Sequence, residues 1–312
     1  MAVLQDVTSP PAAELRPRGM SRRERWQRRV PLLPALIYVI VVTQVPFVVT
    51  LWYSFQSYFW NEPGGAHWTG VSNYKEVFTD PNFRSALWRS VTMTAIAVIV
   101  AMLLGVAVAV LLDKKFFGRG IVRTLIITPF LVMPAAAALV WAGPMLDPNF
   151  GLLNWLLEPF GVHHVAWLTT HAYGSVIVVM IWQWTPFMVL IVLAGLQGQA
   201  SDVLEAAKVD GANAWATFRE LTLPHLRPYI ELGVLLGSIY LVTAFDQVRL
   251  MTNGGPGTTT TTLPFYLYQK VNFAFDIGGS AAAGVVTVVL TIIVASFALR
   301  MFARVFQFQE AG

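Results

Sequence analysis

Cysteine is absent from this chain of 312 residues, which excludes a disulfide framework, a thiol nucleophile and a thiolate metal site. Charge is scarce too: Asp, Glu, Lys and Arg make up 12% of the residues, against about 25% in soluble domains. The phosphate-cradling pattern G-x-x-x-x-G-K-[ST] is missing and no Gly-Lys pair occurs, so the chain carries no P-loop with which to hydrolyse ATP. His163, His164 and His171 gather in one stretch without a helical ligand spacing, and no metal site is expected there.

What fills the chain instead is apolar. Hydrophobic residues reach 56% and the mean hydropathy is +0.59. Six runs stand out: Leu32 to Tyr53, Ser90 to Leu112, Ile121 to Trp141, Ala172 to Leu196, the shorter Tyr229 to Phe245, and Ala281 to Met301. A helix of roughly 20 residues crosses the hydrocarbon core, so an all-α integral membrane protein with six transmembrane helices is expected. The first run is long, ends in Trp52 and Tyr53 and is broken by Pro34 and Pro46, which fits a retained span better than a cleaved signal. The preceding stretch, with Pro10, Pro11, Pro17 and Gly19, reads as a disordered tail.

Lys and Arg distribute unevenly across these spans. With the N-terminus inside, only Lys75, Arg84, Arg89, Arg249 and Lys270 fall outside. The remainder, including Arg16, Arg18, Arg22, Arg23, Arg25, Arg28 and Arg29, lie inside. By the positive-inside rule both termini are cytoplasmic. The formal charge of +4 therefore reflects membrane orientation, and no nucleic-acid partner is expected. The expected organisation is a basic tail at 1–29, a transmembrane domain at 30–306 and a short tail at 307–312. Of the outer loops, 56–89 carries scattered aromatics and 142–171 contains the apolar patch Phe150 to Leu157, read as an interfacial helix.

Between the fourth and fifth runs lies a polar segment, 197–227, on the cytoplasmic side. Asp202 is placed to cap a helix through Leu204, Glu205, Ala206, Ala207 and Lys208. Gly211 permits a sharp turn, and a second helix from Ala214 to Glu220 is expected to end before Pro224. Small residues at Ala206, Ala207, Gly211 and Ala212 allow close approach of another protein, to which Glu205 and Asp210 offer carboxylates. On composition alone an ordinary amphipathic connector accounts for the segment equally well.

The string EAAKVDGANAWATFRELTLP, Glu205 to Pro224, resembles the EAA signature of binding-protein-dependent ABC import permeases. Glu205, Ala206, Ala207, Asp210, Gly211, Ala212 and Pro224 match it. The stretches Phe245 to Tyr268, Gly278 to Gly284 and Ile181 to Gln197 look like the maltose-type carbohydrate branch. Val41 to Phe47 and Leu223 to Tyr229 look most like its sorbitol and mannitol subgroup. The resemblance implies a type I importer fold in the bacterial inner membrane. It implies a second permease subunit, two copies of an ATPase that binds ATP and Mg, an extracytoplasmic binding protein and a sugar or polyol substrate. It makes segment 197–227 the coupling element that meets the ATPase. This chain itself is then no enzyme and binds no cofactor.

A sugar pathway needs aromatic faces and amide or carboxylate groups within an apolar bundle. Gln183, Trp184 and Phe187 in the fourth run are candidates, Gln183 and Phe187 sharing a helical face. In the fifth, Tyr240, Thr243, Ala244 and Gln247 recur at helical spacing beside Asp246. On the residues alone, Trp184 and Tyr240 serve equally as packing between helices, and Asp246 and Gln247 as polar groups at the outer interface. Asn253, Gly254, Gly255 and Pro256 open a non-helical outer loop, a flexible connector or a contact for the binding protein. The alternative function is an ion-gradient-driven secondary transporter. It would show buried charges or related repeats along the spans, and the spans here are nearly charge-free.

Overall fold

The computed structural model describes residues 30–114, 116–162 and 164–310, with helix but no side chains at 298, 299 and 301–310. The Arg-rich tail, Lys115 and His163 lie outside these. The chain divides into two compact units, Met1–Val49 and Thr50–Gly312. In the first, a 3-10 turn Val30–Leu32 leads into helix α1, Leu33–Tyr53, which continues past the unit boundary. No α1 residue is buried, as expected of an apolar helix that faces lipid.

The second unit carries the rest. A two-stranded ribbon, β1 Gln56–Ser57 with β2 His67–Trp68, pairs antiparallel, Gln56 opposite Trp68. Helices α2, Ser72–Thr79, and α3, Pro81–Asp113, follow. Asp80 starts α3, its carboxylate accepting from Asn82 N at 2.8 Å, with Pro81 in the first turn, where no donor is needed. Next come α4, Arg119–Leu131, and α5, Pro134–Val140, the latter running into a π-helical turn, Trp141–Met145. Short helices α6, Leu152–Leu157, and α7, Trp167–Thr170, precede the long α8, Ala172–Gln197. Beyond them lie α9 (Ser201–Val209), α10 (Ala214–Thr217), α11 (Leu223–Val242), α12 (Leu263–Asn272) and α13 (Ile277–Glu310).

Among the described residues, four helical stretches are long and apolar enough to cross a membrane: Val30–Tyr53, Pro81–Asp113, Ala172–Gln197 and Ile277–Phe297. The expected third span, Ile121 to Trp141, is a bent pair, α4 and Pro134–Met145 meeting at 99°. Val132 and Met133 take extended backbone; for Met133 the cause is Pro134, which drives the residue before it out of the helical region. The fifth run also differs from expectation. Its helix, α11, carries Arg227 and Glu231, paired at 2.9 Å, falls short of the apolarity of a span, and ends at Val242 rather than Phe245.

The core of this unit forms between α3, α8 and α11. Met93, Val98, Met102, Val176, Met180, Met188, Leu226 and Val234 are buried in it. Small residues set the spacing: a Cβ on Gly105 of α3 lands 2.5 Å from the Met188 Cβ of α8, and one on Gly195 lands 2.7 Å from the Tyr229 ring. Close backbone approach of this kind replaces the hydrophobic drive that lipid cannot supply. A second cluster joins Val77, Phe83, Leu263, Tyr266, Ala282 and Val286.

Candidate functional site

The segment 197–227 folds into a helical hairpin. Helix α9 opens at Ser201, so Asp202 sits in the first turn and is not its cap; Ala200 holds that position without a side-chain bond. Its end is built around Gly211 at φ +79°, whose N–H donates to Lys208 O (3.2 Å), while Ala212 N–H donates to Ala207 O (2.9 Å). These two bonds form a Schellman cap, which needs a left-handed residue where Gly211 stands. Asn213, which sequence reading passed over, then caps α10 by accepting from Ala216 N at 2.9 Å. An Asn two residues after the turn glycine was the available signal.

Pro224 does not end the second helix as expected. A π-helical turn, Phe218–Thr222, carries α10 straight into α11, with Pro224 in the first turn of the latter. The wider turn absorbs the clash between a proline ring and the carbonyl four residues back. Glu205, Ala206, Asp210 and Gly211 are exposed, Ala212 is half-buried and Ala207 is buried. Beside them Val209 is 88% and Trp215 69% exposed. The hairpin thus presents carboxylates and bare apolar side chains on a hydrogen-bonded frame.

A second group of side chains gathers where the bent pair meets α8 and α11. Gln183, 3% exposed, donates to Val132 O at 3.0 Å, the carbonyl left open at the break, and Gln247, equally buried, donates to Gln183 Oε1 at 2.8 Å. Phe187, one turn on, stacks on Phe130 of α4 at 5.3 Å between ring centres. Trp184 stands edge-on to Phe130 (5.7 Å) and Phe187 (5.5 Å) and lies 5.4 Å from Tyr240. Tyr240 is 57% exposed, so these four rings make an open face. Phe130 was missed in the sequence because an aromatic beside Pro129 in an apolar run gives no sign of facing α8.

The expected helical face of Tyr240, Thr243, Ala244 and Gln247 does not exist, because the helix stops at Val242. Thr243 turns its hydroxyl back onto Tyr240 O (2.9 Å), Ala244 packs against the core, and Asp246 is half-buried where the chain turns helical again, leading into a π-helical turn, Val248–Thr252. Only Tyr240 and Gln247 reach the group, by separate routes. A cavity of about 490 Å³ lies apart from these rings, beside α6, lined by Phe150, Trp155 and His164 among others.

The loop from Asn253 is tightly bonded. Arg249 holds Asn253 Oδ1 at 2.8 Å, Thr260 N donates to Gly254 O (3.1 Å), and Thr260 Oγ1 donates to Gly255 O (3.0 Å). Gly254, at φ +80°, lies where a Cβ would fall 2.4 Å from the Phe265 ring. Pro256 follows through a cis peptide bond and is exposed.

Beneath the loop, Lys270 bridges Glu76 (2.9 Å) and Asp276 (3.1 Å), while Tyr266 donates to Asp80 at 2.6 Å. Burial alone lowers the affinity of Lys270 for its proton, but the bonds to Glu76 and Asp276 outweigh it and raise the pKa. Burial, then the bond to Asp80, pushes the Tyr266 phenol well up.

Long apolar helices around a polar and aromatic seam, with a rigid exposed hairpin between two of them, define a membrane permease. The chain belongs to the family of binding-protein-dependent transport system inner membrane components, whose model matches residues 101–307; it is a multi-pass inner-membrane protein. It is 38% identical to a probable ABC transporter permease protein of Sinorhizobium fredii, over 85% of this chain and 86% of that one. It is 32% identical to a trehalose/maltose transport system permease protein of Thermococcus litoralis, over 84% and 88%. In fold it is similar to a chain of a bacterial ABC transporter involved in alginate import (TM-score 0.76, 22% identity, covering 90% of this chain and 96% of that one).

Proposed function

We propose that this chain is a permease subunit of an ATP-driven importer of a sugar or sugar alcohol, paired with a second permease subunit. In this reading both termini are cytoplasmic and the hairpin 201–222 docks in a separate ATPase, present in two copies, that binds ATP and Mg. Glu205 and Asp210 meet basic groups, Val209 and Trp215 fill apolar ones, and the Gly211 cap makes the hairpin stiff enough to transmit movement. ATP binding by the partner then biases a two-state equilibrium of the spans.

The observation that carries the sugar reading is the open face of Phe130, Trp184, Phe187 and Tyr240 above the Gln183–Gln247 pair. Aromatic faces suit the C–H surfaces of a pyranose or an extended polyol. Relatives named for trehalose/maltose and for sulfoquinovosyl glycerol support a carbohydrate cargo, and the polyol subgroup rests on the two short stretches quoted above. The ordered Asn253 to Pro256 loop is the contact offered to an extracytoplasmic binding protein.

The test is reconstitution in liposomes with candidate ATPase, second permease and binding protein, scanning maltose, trehalose, sorbitol and mannitol for stimulation of ATP hydrolysis. Stimulation by one class names the cargo. Uptake by this chain alone, driven by a proton or sodium gradient, would overturn the proposal.

A further inference from the structure

Helix α3 is longer than a bilayer requires. Its 33 residues extend about 50 Å at 1.5 Å per residue, whereas about 20 residues cross a hydrocarbon core of about 30 Å. No charged residue occurs from Val91 to Leu112, so that stretch occupies the hydrocarbon and the turns before it emerge at headgroup level. On those turns Pro81, Arg84, Ser85, Trp88 and Arg89 recur at helical spacing on one face, and they line an open cleft of about 380 Å³.

The cleft is cationic without a counter-charge. Among the described residues neither Arg84 nor Arg89 has a carboxylate within ion-pair distance. Arg89 Nη1 is shut off from solvent and makes no hydrogen bond, a costly arrangement, while Arg89 itself lines the open cleft. Two other outer cations are engaged: Lys270 is neutralised by Glu76 and Asp276, and Arg249 lies 5.3 Å from the centre of the Tyr268 ring. Trp88, between the two arginines, is 68% exposed at the depth where indole rings favour the interface.

Along the same side of α3, toward the hydrocarbon, the exposed residues are Ile96, Ile99 and Leu103. A cationic cleft continued by a bare apolar track matches an amphiphile with an anionic head. An acidic surface on a soluble protein would satisfy the arginines and leave the track unused. Guanidinium forks take phosphate oxygens in pairs.

We propose that Arg84, Trp88 and Arg89 form a binding site for the phosphate headgroup of an anionic phospholipid, whose acyl chains lie along Ile96, Ile99 and Leu103. The experiment uses the purified full chain, delipidated in neutral detergent. Native mass spectrometry reads retained lipid after titration with phosphatidylglycerol or phosphatidylcholine. Phosphatidylglycerol is expected to bind in preference. Its affinity should drop about tenfold or more in the Arg84→Gln/Arg89→Gln variant, the factor for a lost charge-assisted hydrogen bond.

If that variant does not fold, Arg89→Lys, which keeps the charge but loses the fork, is expected to weaken binding by a smaller factor. Equal lipid binding by the native chain and whichever variant folds would sink the proposal. So would competition by inorganic phosphate at the same concentration as lipid, which would mark a free-anion site. Loss of binding-protein affinity in lipid-free detergent, with lipid binding unchanged, would assign the arginines to a protein contact instead.

Discussion

Gln247 donates its side-chain amide to Gln183 Oε1 at 2.8 Å, and Gln183 passes its own amide on to Val132 O at 3.0 Å. This buried relay joins the break between α4 and α5, the middle of α8 and the helical turn that follows α11. In a low dielectric such bonds are stronger than in water, and their loss costs correspondingly more. Its polar atoms lock the bend that Pro134 imposes.

The relay has an order. Gln183→Leu leaves both the Val132 carbonyl and the Gln247 amide without partners, a loss of about 2–3 kcal/mol. Gln247→Leu orphans one acceptor and should cost about 1 kcal/mol. Thermal unfolding of the two variants in detergent measures the difference, and equal losses would contradict the order.

At the hairpin, Gly211→Val places a β-branched residue at φ +79°, a conformation that costs an L-residue about 1–2 kcal/mol. Membrane levels should stay normal while co-purification of the proposed partner ATPase falls. Gly211→Asn, which tolerates the left-handed region, should retain more of it. If the Val variant captured the ATPase as well as the native chain does, the cap would have no part in docking.

In the aromatic face, Trp184→Ala should abolish most substrate transport, whereas Trp184→Phe keeps a ring in place and should retain part of it. Each ring contact with Phe130, Phe187 and Tyr240 contributes about 0.5–1.5 kcal/mol beyond area burial. To separate packing from cargo contact, unfolding midpoints are measured beside uptake. Tyr240→Ala, at an exposed position, should lower uptake with little change in midpoint; a large fall in midpoint with normal uptake would return Tyr240 to packing.

The network beneath the Asn253 loop predicts an alkaline limit. Lys270 and Tyr266 both hold their protons more tightly folded than their ordinary values of 10.5 and 10.0. Above about pH 10 the folded state therefore binds more protons than the unfolded one, and stability falls as pH rises, being flat in this respect below it. Unfolding midpoints between pH 7 and 11 test this. Lys270→Met should be less stable at pH 7 and show a shallower alkaline decline; an unchanged slope would exclude Lys270 as a contributor.

Much of this was legible in the residues. The apolar runs at 32–53, 90–112 and 172–196 appear as helices at nearly those places because a run of that length has no other way to satisfy its backbone in lipid. Gly211 was marked as a turn by its type. The Phe150 to Leu157 patch contains α6, held by Asn154, which bonds Asp147 O and Val165 O and accepts from Trp167.

Other features depended on contacts that periodicity does not encode. Pro224 has the residue type of a helix stop, yet a π turn lets the helix continue; Tyr240 to Gln247 keep helical spacing, yet the helix breaks at 243–245 between them. The Lys270 network unites residues from α2, α12 and the start of α13, far apart in the chain.

The sequence by itself determined that this is a multi-span membrane protein, that Glu205 to Pro224 resembles a permease signature, and where the hairpin 201–222 turns, since composition, run length, a motif and the residue type of a glycine are local properties. Only the tertiary structure decided that the third span is bent, that Gln183 closes the bend, and that Phe130 completes the aromatic face. Each of these requires two helices to meet, and the partner of a buried amide or ring is chosen by packing rather than by its neighbours in the chain.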